Sequence, residues 1–357
     1  MTITRQFWCF CVVVWLLVTA PATIAESFRN PYRIPTPVDP GMVAAGDLNG
    51  DGVADFVWLD GTTSPVTLNV LLSQPHGGWL PGESITYPVP LTRGATCQIG
   101  DLNNDTRLDL VCSSANEFTS TIEVFLGNGD GTFQSPVATD ATFQYTSSWG
   151  IPAFNIVGDL NGDGFADLFE EDAQNWHAQI MLSDGKGGFN ALLPLGTAIN
   201  EYLPTVAADV NGDGIPDLLF PFGPEVALGK GDGTFGPITS YAADSYYAAV
   251  CAFHDMDGDK HLDAICGDEE TTTGDITGAS DLIILHGNAD GSFNTTPIAK
   301  KTFGHHATEF DGFGTFQAPV AIADMNGDGV PDVIGYSGDG LAVALGGSRL
   351  TFSTPLH

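Results

Sequence analysis

The stretch Asp159-Leu160-Asn161-Gly162-Asp163-Gly164-Phe165-Ala166-Asp167 carries oxygen-bearing side chains at its first, third, fifth and ninth positions and a glycine at its sixth. Hard cations such as Ca²⁺ take about six to eight oxygen ligands in a flexible cage, and a tight turn can aim several side chains at one point. Glycine tolerates the left-handed backbone that such a turn requires. A single stretch of this kind is a weak signal, because Asp, Asn and Gly are also ordinary turn residues.

The pattern recurs six times along the chain, with successive starts about 46 to 69 residues apart. Loops one to six span residues 47–55, 101–109, 159–167, 209–217, 255–263 and 324–332. A period near about 50 residues is typical of propellers and related repeat arrays. Six copies in one arrangement predict metal binding rather than six unrelated acidic turns.

The predicted ligands are the side chains at the first, third, fifth and ninth positions, together with the backbone carbonyl oxygen at the seventh. They are Asp47, Asn49, Asp51, Val53, Asp55, Asp101, Asn103, Asp105, Arg107, Asp109, Asp159, Asn161, Asp163, Phe165, Asp167, Asp209, Asn211, Asp213, Ile215, Asp217, Asp255, Asp257, Asp259, His261, Asp263, Asp324, Asn326, Asp328, Val330 and Asp332. Carboxylate and carbonyl oxygens suit Ca²⁺. We therefore expect about six calcium ions, one in each loop.

Each loop is followed by a short apolar strand, a polar gap, and a second strand that ends in a glycine-rich turn and an aromatic residue. Residues 122–133, Ile-Glu-Val-Phe-Leu-Gly-Asn-Gly-Asp-Gly-Thr-Phe, are typical, and the turn residues are those that favour hairpins. The corresponding turns end at Trp79, Phe189, Phe235, Phe293 and Phe352. Each repeat thus reads as four antiparallel strands, which make one propeller blade.

No sustained helical periodicity occurs after the first residues, so the predicted fold is all-β. We predict a β-propeller of four-stranded antiparallel blades over residues 26–357, with the calcium loop between the first two strands of each blade. Six loops indicate six blades. A seventh blade stays open as an alternative, because the chain offers a candidate outer strand at each end, in residues 27–31 and residues 351–355.

The combination Gly-Asp-Leu-Asn-Gly-Asp-Gly-x-x-Asp-Leu followed by Leu-Gly-Asn-Gly-Asp-Gly-Thr-Phe resembles the FG-GAP or VCBS repeats. These repeats occur in integrin α-chain propellers, some fungal lectins and many bacterial secreted proteins, and the resemblance covers residues 28–357. It implies a Ca²⁺-stabilised β-propeller outside the cell that serves in adhesion or ligand binding. Propellers of this family commonly have one blade more than the six loops counted here. The resemblance does not specify a ligand, because function depends on what a fold carries.

Loops two and five depart from the pattern, since Thr106 and Lys260 replace the glycine of the sixth position. These two loops are also flanked by all the cysteines that follow residue 25, at identical offsets on either side. Such positions would face each other on the first two strands of a blade. We expect two disulfides that offset the weaker turns, with four buried free thiols as the alternative: Cys97–Cys112 and Cys251–Cys266.

Residues 1–25 have the features of a secretory signal peptide, because Arg5 precedes an apolar run over residues 7–18 and small residues occupy the cleavage positions. We therefore expect a secreted protein, with the cell surface or periplasm as related locations. No later segment reads as a membrane span. The net charge of −33 argues against nucleic acid and anionic membranes as partners.

The sequence contains no nucleophile elbow, zinc-protease helix or phosphate-binding motif, and the loops account for most of its paired carboxylates. We therefore expect a binding or adhesion module for an extracellular protein or glycan, and not an enzyme. A lectin-like carbohydrate binder is the first alternative, and a lyase or hydrolase acting on polysaccharide is the second. The ligand-binding residues are unknown; three irregular segments, 139–150, 268–280 and 300–317, are candidates for ligand contact.

Overall fold

The computed structural model describes residues 42–60, 67–74, 79–86, 96–115, 120–140, 153–172, 177–195, 205–221, 223–241, 251–269, 279–305, 321–337, 340–347 and 351–353. The predicted signal peptide, the candidate end strand at residues 27–31 and most of the three candidate ligand segments lie outside these residues. Within them no helix occurs, and therefore none that could span a membrane. The prediction of an all-β chain is confirmed for this part of the protein.

The described strands form six antiparallel sheets of three or four strands in chain order, followed by one short strand pair. Sheets one and two contain β1 (Met42–Gly46), β2 (Asp55–Asp60), β3 (Thr67–Ser73), β4 (Trp79–Thr86), β5 (Thr96–Gly100), β6 (Asp109–Ala115), β7 (Ser120–Phe125) and β8 (Val137–Asp140). Sheets three and four contain β9 (Ala153–Gly158), β10 (Asp167–Asp172), β11 (His177–Ser183), β12 (Phe189–Pro194), β13 (Val206–Ala208), β14 (Asp217–Phe220), β15 (Glu225–Ala227) and β16 (Thr239–Ser240). Sheets five and six and the final pair contain β17 (Cys251–His254), β18 (Asp263–Glu269), β19 (Ala279–Leu285), β20 (Ala299–His305), β21 (Ala321–Ala323), β22 (Asp332–Ser337), β23 (Gly340–Ala344), β24 (Gly346–Gly347) and β25 (Thr351–Phe352).

Strands that follow one another in a sheet are hydrogen-bonded neighbours, so each sheet is a simple up-and-down meander. The first strands of successive sheets contact one another: β1 contacts β5, β5 contacts β9, β9 contacts β13, and β17 contacts β21. Sheets that meet along their first strands resemble the blades of a propeller. Ring closure and the number of blades stay predictions.

The hydrophobic core lies between neighbouring sheets, because successive residues of one strand face opposite sides. Leu110 packs with Val57 and Leu68 of sheet one, whereas its neighbour Val111 packs with Leu168 of sheet three. The apolar residues that follow the first residue of these second strands therefore reflect burial on both faces. Layers of this kind join each sheet to the next along the described chain.

The first strands are crowded where they meet. A Cβ atom added to Gly46 would lie 2.7 Å from the Leu108 side chain, and one added to Gly100 would lie 2.8 Å from that of Ile156. Small residues at the ends of β1 and β5 are therefore required by the close approach of the next sheet.

Two disulfides join first and second strands, as the cysteine offsets predict. Cys97 lies opposite Cys112 in the β5–β6 register, Cys251 lies opposite Cys266 in the β17–β18 register, and both pairs are bridged. All four residues are buried in the layers between sheets. The alternative of four free thiols is therefore wrong in this structure.

Candidate metal-binding loops

Each predicted loop connects the first strand of a sheet to the second, as expected. In sheet three, β9 ends at Gly158 and β10 begins at Asp167, so the ninth position is also the first residue of the second strand. The same boundary holds in the other five sheets. The loop is therefore held between two paired strands.

The ninth carboxylate is fully buried in all six loops and joins the loop to the end of the third strand or to the residues just after it. Asp109 Oδ2 accepts a hydrogen bond from the Leu102 N–H at 2.9 Å, and its Oδ1 accepts one from the Gly127 N–H at 2.8 Å. The equivalent donors are Leu48 and Ser73 for Asp55, Leu160 and Ser183 for Asp167, Val210 and Gly229 for Asp217, Met256 and Gly287 for Asp263, and Met325 and Gly346 for Asp332. The sequence pattern predicts the position of this residue but not its link to the third strand.

The first and third side chains converge on the backbone of the fifth residue. In loop three, the Asp163 N–H donates to Asn161 Oδ1 at 2.9 Å and lies 3.2 Å from Asp159 Oδ1. Asp159 Oδ2 accepts from the Gly164 N–H at 2.8 Å, and Asp163 Oδ1 accepts from the Phe165 N–H at 2.9 Å. Loops one, two, four and six repeat these bonds. Three oxygen-bearing side chains are thus gathered at the loop surface.

The backbone is left-handed at two positions of each loop, the fourth and the sixth. In loop three these are Gly162 and Gly164, with φ of 77° and 91°. Thr106 and Lys260 adopt φ of 69° and 75° at the sixth position, so the loops that lack glycine keep the same conformation. The sequence pattern predicts the left-handed backbone at the sixth position. It does not predict the left-handed backbone at the fourth position, where Asn104 of loop two has φ of 59°.

The donor set fits a divalent cation at the first, third and fifth positions. In loop five, one oxygen atom from each of Asp255, Asp257 and Asp259 lies within 4.8 Å of the others. A carboxylate oxygen has two lone pairs, so an oxygen that accepts one N–H can also bind a cation. The ninth carboxylate of this loop joins a different group, with Asp257 and His286. The seventh carbonyl oxygens stay predicted ligands.

Burial is the main influence on the ninth carboxylate. Burial raises the pKa of Asp109 and of Asp167, the two N–H donors oppose this shift, nearby loop carboxylates add to it, and the resulting pKa is about 6. The pKa values of Asp55, Asp217 and Asp263 are raised for the same first reason. A buried carboxylate surrounded by other carboxylates lacks a compensating positive charge, which a bound cation would supply.

His286 is a side chain at the loops that the sequence analysis missed. It occupies the position that immediately precedes the third-strand donor to the ninth carboxylate, and it lies beside loop five. The signal was present in the sequence, because the equivalent residue is leucine in the other five sheets: Leu72, Leu126, Leu182, Leu228 and Leu345.

Comparison with known families identifies the repeat. Residues 101–170 match the family model described as the FG-GAP-like repeat. This span runs from loop two to the second strand of sheet three, and it contains the hairpin at residues 122–133. The resemblance drawn from these motifs is therefore confirmed. A comparison with curated proteins finds no match.

Two solved structures resemble the chain over most of its length. One is a lectin from Agrocybe aegerita, whose structure concerns specific recognition of non-reducing terminal N-acetylglucosamine. It matches with a TM-score of 0.59 and 19% sequence identity, and the match covers 87% of this chain and 78% of the lectin. The other is the periplasmic gluconolactonase PpgL of Pseudomonas aeruginosa, with a TM-score of 0.53 at 13% identity, over 93% of this chain and 88% of the enzyme. Both have propeller folds, and at these identities the likeness shows the fold alone.

Proposed function

We propose that this protein is a secreted binding module built on a six-bladed β-propeller whose loops bind Ca²⁺. The observation that carries the proposal is the sixfold repetition of one loop geometry. In every copy a buried ninth carboxylate joins the loop to the third strand, and oxygen-bearing side chains at the first, third and fifth positions gather at the surface. A cation bound by these side chains would stabilise the loop, which connects the first two strands of the sheet and contacts the end of the third.

Calcium would also reduce the repulsion within the chain. The net charge is −33, and the acidic residues are concentrated in the six loops. Six divalent ions would cancel about 12 of these charges. Extracellular calcium modules bind at about 10⁻⁴ to 10⁻³ M, which suits a structural ion that stays bound outside the cell.

We propose a binding role rather than catalysis because the loop carboxylates hold the loop backbone and are the proposed calcium ligands. Each ninth carboxylate is buried behind its loop and each first carboxylate accepts several backbone N–H groups, so both have a structural role in the loop. The irregular segments 139–150, 268–280 and 300–317 are the proposed ligand contacts, since propellers present such segments at their rims.

Glycans are the ligand class that we favour. The lectin from Agrocybe aegerita has the highest TM-score of the structures named above, and its propeller recognises a terminal sugar. A protein ligand remains the alternative, as the resemblance to integrin α-chain repeats implies. A polysaccharide lyase or hydrolase is the second alternative.

A glycan array tests this proposal. Residues 26–357 would be applied in calcium and again after chelation, with glycans ending in N-acetylglucosamine among the probes. We expect calcium-dependent binding to a defined group of glycans without release of shortened products. Turnover of a polysaccharide would replace the binding role with an enzymatic one, and binding to extracellular matrix proteins alone would favour the adhesion alternative.

A further inference from the structure

Loop five differs from the other five loops in two ligand-bearing residues. Its third position is Asp257, where the other loops have asparagine. The residue just before the backbone donor to its ninth carboxylate is His286, where the other sheets have leucine. The first change adds a negative charge to a predicted ligand and the second adds a nitrogen ligand, and both concern the same loop although the residues are 29 positions apart in sequence.

The two changes meet in space. His286 Nδ1 lies 3.4 Å from Asp257 Oδ2 and 3.3 Å from Asp263 Oδ1, and its Nε2 lies 3.7 Å from Asp259 Oδ2. One ligand atom from each of Asp257, Asp263 and His286 lies within 4.8 Å of the others. The imidazole therefore faces carboxylates from the third, fifth and ninth positions of the loop.

The imidazole nitrogen that faces this cluster forms no hydrogen bond. The Nδ1 atom is buried from solvent, and it has no hydrogen-bond partner despite its two carboxylate neighbours. Asp263 Oδ1 instead accepts from the Gly287 N–H at 2.9 Å. A buried polar atom without a hydrogen bond is costly, and a cation held between this nitrogen and its two acidic neighbours would give it a partner.

We propose that loop five binds a transition-metal ion of the zinc class through His286, Asp257 and Asp263, and prefers it to Ca²⁺. Bonds of about 2.1 Å at a tetrahedral angle separate two ligand atoms by about 3.4 Å, which agrees with the spacing found here. The nitrogen ligand provides the selectivity, because imidazole suits Zn²⁺ and its neighbours whereas Ca²⁺ takes oxygen ligands. The other five loops lack a nitrogen side chain at this position and keep the calcium chemistry.

The test uses untagged residues 26–357, dialysed against excess Ca²⁺ with a low concentration of Zn²⁺, followed by a count of both metals per chain. We expect one zinc ion in the unaltered protein and none in His286→Leu, which restores the residue of the other sheets. His254→Gln, which changes an exposed histidine of β17, keeps the zinc ion. Calcium in the other loops is counted separately, so failure of the calcium proposal would not be confused with failure of this one.

A second measurement covers the case in which His286→Leu does not fold. The unaltered protein is treated with a histidine-modifying reagent with and without Zn²⁺, and the modified peptides are mapped. We expect Zn²⁺ to protect His286 but not His254. Three results would overturn the proposal: no bound zinc, zinc that survives in a folded His286→Leu protein, or equal modification of His286 with and without zinc. If no zinc binds, His286 is an ion-pair partner of the carboxylates.

Discussion

Asp109 Oδ1 accepts a hydrogen bond from the backbone N–H of Gly127, which lies 18 residues further along the chain. The same carboxylate accepts the Leu102 N–H through Oδ2. One buried side chain thus ties the start of the loop, the second strand and the end of the third strand together. This relationship gives the ninth residue a structural role that needs no metal, beside its predicted role as a ligand.

Asp109→Ala therefore destabilises the protein even when no metal is present. The change leaves two buried N–H donors without acceptors, each of which costs about 1–3 kcal/mol. Urea unfolding in EDTA measures the effect. Asp105→Ala is the matched control, since Asp105 is exposed and we expect its loss to affect the proposed calcium binding more than the metal-free fold. Equal stability of the two variants in EDTA would mean that the ninth carboxylate has no special structural role.

The raised pKa values predict that the metal-free protein becomes more stable on mild acidification. The folded-state pKa of Asp109 and Asp167 is about 6, above the ordinary value of 3.8. Between these values the folded state binds more protons than the unfolded state, so stability rises as the pH falls from about 7 to 5. Thermal unfolding in EDTA at several pH values measures this. Asp109→Asn and Asp167→Asn flatten the pH dependence of stability because asparagine does not titrate. If the double variant keeps the pH dependence of the parent, other groups cause it.

Removal of the bridge in sheet two lowers stability. Cys97→Ala combined with Cys112→Ala opens a loop of about 16 residues, which corresponds to about 3 kcal/mol in the chain-entropy model. Chemical unfolding with and without Ca²⁺ measures the loss, and the same pair of changes at Cys251 and Cys266 provides a second instance. We expect the loss to be larger in EDTA, where the loop has no ion. A double variant as stable as the parent would show that the bridges do not support these loops.

The backbone of loop two predicts a stabilising change. Thr106 has φ of 69°, where glycine is favoured, so Thr106→Gly relieves strain and raises stability by about 0.5–1 kcal/mol. Gly164→Ala is the reverse experiment at the same position of loop three. An added Cβ there has no neighbour closer than 3.9 Å, so its cost of about 1 kcal/mol is due to the backbone alone. Thermal midpoints of the two variants should move in opposite directions.

The local features of the loop could be predicted because they depend on residues close in sequence. Oxygen-bearing side chains at alternate positions, the turn at the sixth residue and the register of Cys97 with Cys112 all follow from spacing within one hairpin. The partners of the ninth carboxylate could not, because they lie at or just after the end of a third strand whose distance along the chain varies, from 12 residues between Asp217 and Gly229 to 24 between Asp263 and Gly287.

His286 shows a second kind of limit. An alignment of the six third strands shows that histidine replaces leucine here. The sequence does not predict the contacts of this histidine with Asp257 and Asp263, which only the structure shows. The seventh carbonyl ligands stay predictions, and so does the blade count, which depends on assembly of the whole ring.

Calcium-dependent unfolding tests the central claim most directly. Residues 26–357 would be unfolded by heat in EDTA and in Ca²⁺ at ten times its dissociation constant, with a count of bound ions. At that concentration each site adds about 1.4 kcal/mol, so six sites add about 8 kcal/mol, comparable with the stability of a whole domain. We expect a large rise in the unfolding midpoint and about six ions per chain. An unchanged midpoint with no bound calcium would show that the six loops are acidic turns and would contradict the account.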